Sequence, residues 1–124
     1  MKVDRVVLAT LVSWVGLWVH ELHRVPTLLG FTPDGDLFML AIAAGLAVWW
    51  SRSRGAAAAG ALAAYAAVNL VGGFLTVLPL KWLPFRPEQT LAHYSVHFVY
   101  AACQIPLLGL ALKRLLPGSA PSVR

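Results

Sequence analysis

The stretch Thr90–Leu112, TLAHYSVHFVYAACQIPLLGLAL, constrains this chain more than any other. It is long enough to cross a bilayer and is closed by Lys113 and Arg114. It also carries His93, His97, Tyr100 and Gln104, which at about 100° per residue fall on one stripe of a helix. Hydrocarbon does not solvate such a stripe, so it must face other protein or an enclosed polar cavity. The stretch therefore predicts a bundle in lipid with polar groups turned inward.

Composition agrees with that solvent. Of 124 residues, 59% are hydrophobic and only 12% charged, against roughly 25% charged in soluble domains. The net charge of +5 comes from Lys and Arg set between apolar blocks. That spacing fits the flanks of membrane spans and excludes the basic stripe with interleaved aromatics that nucleic-acid binding needs. The single cysteine, Cys103, rules out an internal disulfide and any multi-cysteine metal motif, and reads as a buried thiol.

The expected fold is all-α: a polytopic bundle of four transmembrane helices, spans about 3–24, 35–51, 56–78 and 90–113, in one domain (1–116) with a disordered tail (117–124). The first apolar run lacks a small-x-small cleavage pattern and continues into His20-Glu21-Leu22-His23-Arg24, so it reads as a retained helix rather than a signal peptide. On it Thr10, Ser13, Gly16, His20 and His23 share a face. Pro26 ends it. A loop over 27–36 follows, with Asp34 as a cap for the second span.

Leu37–Trp50 measures about 21 Å as a helix, short of a roughly 30 Å hydrocarbon core. Snorkelling Arg52 and Arg54, with Trp49 and Trp50 at the interface, would complete the crossing. After a basic turn, the third span is rich in Ala and Gly, which lets helices approach closely in lipid. Its polar stripe is Tyr65, Asn69, Gly72 and Thr76. Pro79–Gln89 reads as an irregular surface segment, and Pro106 predicts a kink in the last helix near Ala102 or Cys103.

Four crossings put both ends of the chain on one side. That side carries Lys2, Arg5, Arg52, Arg54, Lys113, Arg114 and Arg124, against Arg24, Lys81 and Arg86 on the other. The excess predicts an N-in, C-in protein of the cytoplasmic membrane.

The same topology gathers His20 and His23, at the end of the first helix, with His93 and His97, at the start of the last. Glu21 lies at their depth. Imidazole is the commonest metal-binding side chain. Pairs at i, i+3 and i, i+4, with Glu21 as an oxygen donor, suit zinc or copper. A b-type haem between facing helices is a second candidate, with Arg24, Lys81 and Arg86 near its propionates. The plain alternative is that these histidines bond water and carbonyls at the interface, with Glu21 paired to Arg24. HELH is not the HExxH zinc-protease pattern, since its second histidine comes one residue early.

Deeper in the bundle, Ser13, Asn69, Thr76, Tyr100 and Gln104 form a polar column, read first as glue between helices. The leading functional expectation is metal or haem binding for redox or metal handling. The others are an oligomeric transporter or channel subunit using the column, with copies joined through the Ala/Gly-rich third helix; a structural accessory subunit; and an enzyme acting on a lipid at the outer leaflet with the histidines and Glu21 as acid–base groups.

Overall fold

A computed structural model of the chain describes residues 3–21 and 36–116, with Glu21 and Asp36 as backbone only. Four α-helices make up its regular structure: α1 (Arg5–Glu21), α2 (Asp36–Ser53), α3 (Ala56–Leu75) and α4 (Leu91–Leu115). The fold is all-α as expected, and α3 and α4 are long and apolar enough to cross a membrane. At 17 and 18 residues, α1 and α2 are shorter apolar helices. The loop over 27–36 with its Asp34 cap, and the tail from 117, lie outside the described residues.

Local chemistry sets the helix ends. Asp4 caps α1, its carboxylate accepting from the Val6 amide at 2.8 Å and its carbonyl from the Leu8 amide. Thr90 caps α4 by accepting from the His93 amide, and Lys113 and Arg114 sit in that helix's last turn, where the dipole favours cations. α2 ends in a left-handed residue, Arg54 (φ 51°), whose amide reaches back to the Trp50 carbonyl. Gly55 then starts α3. The first span is thus shorter than the sequence implies at its start, and the third stops at a Thr76 cap rather than at Leu78. α4 runs on through Pro106 to Leu115.

The helices form a closed ring in chain order, with α4 packed against both α3 and α1. Neighbours are antiparallel: the start of α1 meets the end of α2, and the end of α1 meets the start of α4. Between α3 and α4, Pro79–Gln89 forms turns. Gln89 ties this segment down, donating to the Val77 carbonyl at 3.0 Å and accepting from the Tyr94 hydroxyl.

The interior is built mainly of small and apolar residues with a few polar ones, and many large apolar side chains lie outside. Small residues (Ala58, Ala59, Ala63, Ala66, Ala101, Ala111) fill the centre with Leu62 and Leu107. Gln104 is 0% and Ser13 1% exposed, whereas Val68 is 72% and Phe98 67% exposed. Small and polar residues inside with large apolar ones outside is the distribution that lipid selects.

One tryptophan departs from its expected place. Trp50 is buried (1% exposed) rather than set in an interfacial belt. Its indole N–H donates to Asp4 Oδ2 at 3.2 Å, and the guanidiniums of Arg54 and Arg114 stand 5.5 and 5.6 Å from its ring centre. With its donor satisfied and cations over its π-face, the ring gains more inside than at an interface. Trp49 and Trp82 remain on the surface.

Candidate functional site

The site lies where the end of α1, the end of α3 and the start of α4 converge. His97 is buried, and its Nδ1 sits 2.6 Å from the carbonyl oxygen of Gly73. That oxygen can only accept, so His97 carries its proton on Nδ1 and, when neutral, presents a bare Nε2. The Nε2 of His20 lies 2.9 Å from it and donates to it. Two imidazole nitrogens from opposite ends of the chain thus point at each other.

His93, one turn from His97 on α4, completes a triangle of rings. Ring centres are 4.3 Å apart for His20 and His97, 4.5 Å for His93 and His97, and 6.3 Å for His20 and His93. The Tyr100 ring lies 5.6 Å from His20 and floors the group. Of the expected ligands, then, His20, His93 and His97 come together. His23 and the Glu21 side chain lie outside the described residues. Among the described residues no three His, Cys, Asp or Glu side chains form a ready metal site.

Gly73 is what lets the Tyr100 ring lie close against α3. A Cβ there would sit 2.9 Å from the Tyr100 ring. The sequence pointed instead to Gly72, which faces open space. Steps of four from Tyr65 through Asn69 reach Gly73, so the α-helical period carried one residue further was the available signal.

Below the histidines runs the polar column. The Tyr100 hydroxyl donates to Asn69 Oδ1, and Asn69 Nδ2 donates to the Tyr65 carbonyl at 2.8 Å. One turn deeper, the Ser13 hydroxyl donates to Gln104 Oε1, while Gln104 Nε2 returns to the Ser13 carbonyl at 3.1 Å and the Tyr100 carbonyl at 3.2 Å. The Tyr65 hydroxyl also bonds Ser13. Ser13, Asn69, Tyr100 and Gln104 therefore link α1, α3 and α4. Thr76 turns its hydroxyl back to the Gly72 carbonyl of its own helix.

One turn beyond Tyr65 and Gln104 lie Leu62 and Leu107, both fully buried. Between column and histidines, Gly16 lets α1 touch α4: a Cβ there would lie 2.4 Å from Cys103 Cβ. The thiol is half-buried against this contact. Sequence alone marked both residues and did not pair them.

The chain matches no protein-family model, no curated protein and no solved structure.

Proposed function

We propose that this chain is an integral protein of the cytoplasmic membrane that crosses the bilayer four times with both ends inside. We propose further that its outer end binds a transition-metal ion, zinc or copper, through His20, His97 and His93, for redox or metal handling. The observation that carries the metal reading is the convergence of two Nε2 atoms at 2.9 Å, with the Gly73 carbonyl fixing the His97 tautomer. An imidazole held by Nδ1–H to a carbonyl and bare at Nε2 is the form in which histidine ligates.

The distances are close to those an ion needs. Two nitrogens about 2.0 Å from a tetrahedral ion stand roughly 3.3 Å apart, a few tenths of an ångström wider than here. Three imidazoles around such an ion have ring centres roughly 5 Å apart, inside the spread of this triangle. A rotation of His93 toward His20 supplies the third nitrogen. His20 must then move its proton to Nδ1.

Haem fits less well. Opposite axial nitrogens on one iron stand about 4 Å apart with a macrocycle between them, by the same metal–nitrogen length. Here the two nitrogens are in direct contact, and Gly16 presses α1 onto Cys103 one turn away. No slot for a porphyrin separates the helices.

Basic residues support the orientation. Arg5, Arg52, Arg54, Lys113 and Arg114 flank the end opposite the histidines, against Lys81 and Arg86 beside them. A transport pathway is less favoured, because the fully buried Leu62 and Leu107 lie one turn beyond the column's last polar groups. The outer face of α3, where a Cβ at Gly60 or Gly72 would meet nothing, is the surface left for lipid or a second copy.

The test is elemental analysis and absorption spectroscopy of detergent-purified protein after exposure to zinc or copper. Stoichiometric metal without a Soret band is expected, lost in His97→Ala and His20→Ala and weakened in His93→Ala. Wild-type protein that stays metal-free, or variants that bind as well as wild type, would overturn the reading.

A further inference from the structure

At the opposite end of the bundle, all four helices meet around Trp50. Asp4 precedes α1, Trp50 belongs to α2, Arg54 forms the turn into α3, and Arg114 ends α4. Both guanidiniums stand over the one indole, within 5.6 Å of its centre. The two guanidinium carbons are therefore at most about 11 Å apart.

Among the described residues the counter-charge is insufficient. Asp4 is the sole carboxylate paired here among the described residues, and both its oxygens are occupied. Oδ1 accepts from the Val6 amide. Oδ2 accepts from the Trp50 indole and pairs with Arg54. Its one charge is already paired with Arg54, no ion pair joins it to Arg114 among the described residues, and Arg52 and Lys113 add further positive charge nearby. Arg54 also holds a left-handed backbone that a non-glycine residue adopts at a cost, and it is 56% exposed at its side chain. The fold thus brings two arginines together and leaves the anion side incomplete.

We infer that Arg54 and Arg114 form a seat for the phosphate of an anionic phospholipid, backed by Trp50. Guanidinium is suited to this because its planar fork donates to two phosphate oxygens at once. Two such forks can hold one phosphodiester, and one elementary negative charge restores the local balance. On the proposed orientation this end faces the cytoplasmic leaflet, which is where anionic lipids attract juxtamembrane basic groups. The seat uses none of the histidines.

The experiment is native mass spectrometry and thermal unfolding of the full chain in uncharged detergent. The probes are phosphatidylglycerol, phosphatidylcholine and inorganic phosphate. Phosphatidylglycerol should be retained and should raise the unfolding temperature, while the other two do neither. Arg114→Gln should weaken its retention about tenfold, and Lys113→Gln, which removes the same charge one residue away, should not. His97→Ala should bind the lipid as wild type does, which separates this site from the proposed metal site. Equal losses in Arg114→Gln and Lys113→Gln would reduce the effect to diffuse charge and overturn the seat. Full stabilisation by inorganic phosphate, or equal retention of phosphatidylcholine, would overturn the anionic lipid as its occupant.

Discussion

Replacing Gly16 with alanine isolates the contact on which the site depends. The added Cβ would fall 2.4 Å from Cys103 Cβ and 2.9 Å from its Sγ. Carbon atoms pack at about 3.7 Å, so α1 and α4 must separate by roughly 1.3 Å. Ser13 and His20 lie one turn to either side of Gly16. A shift of that size stretches the His20–His97 contact from 2.9 Å to about 4 Å, beyond hydrogen-bonding range.

Overpacking of this kind costs about 1–3 kcal/mol, and lost buried polar pairs in a membrane add about 0.6 kcal/mol each. The helix propensity of alanine returns only about 0.5–1 kcal/mol. Gly16→Ala should therefore lose about 2 kcal/mol net. Cys103→Gly removes both clashing atoms and leaves the Tyr100 carbonyl at an acceptable 3.4 Å. The double variant should recover most of the loss through a favourable coupling. Equilibrium unfolding in mixed micelles, followed by tryptophan fluorescence, measures all four proteins of the cycle. If Gly16→Ala were as stable as wild type, or Cys103→Gly brought no rescue, the close approach of α1 to α4 would be refuted.

Three more outcomes follow from the packing. Gln104→Leu should cost about 0.6–1.7 kcal/mol in the same assay, and less on a Ser13→Ala background, where its bond to the Ser13 hydroxyl is already gone. Trp50→Ala should cost about 3–5 kcal/mol as a cavity variant, whereas Trp49→Ala, on the surface, should change little. Burial pushes the Asp4 carboxyl up, but the Val6 amide, the Trp50 indole and the Arg54 guanidinium outweigh it and hold it below its ordinary value of 3.8. Its ionised form is thus favoured by folding. The stability it brings is full above that ordinary value and is lost as pH falls through the lowered one. An acid titration of unfolding should show this loss in wild type, and Asp4→Asn should flatten it.

Much of this was legible from residue spacing. Four helices were readable because apolar runs are separated by prolines, glycines and charges. The meeting of His20 with His93 and His97 follows from antiparallel neighbours, since two helices between α1 and α4 return the start of α4 to the end of α1. Gln104 and Asn69 were readable as inward-facing because lipid excludes amides.

What escaped was set by partners distant in sequence. An indole beside arginines at a helix end has the local appearance of an interfacial anchor. Trp50 is inside only because Asp4, from the far end of α1, supplies an acceptor. Gly16 and Cys103 each read as ordinary small residues, and their contact depends on the rotation of two helices that no single-helix pattern fixes.

The arrangement of α4 between α1 and α3 bears on how the chain is made. Ser13 and His20 emerge from the ribosome before Asn69, yet the side chains they bond belong to α4, which is synthesised after all three. On the proposed four-crossing topology, until α4 arrives the first three helices lack the partners that α4 brings to Ser13, His20 and Asn69. On that topology biogenesis is weighted toward the insertion of α4, and quality control that recognises exposed polar groups in the bilayer has its longest view of these helices just before α4 docks.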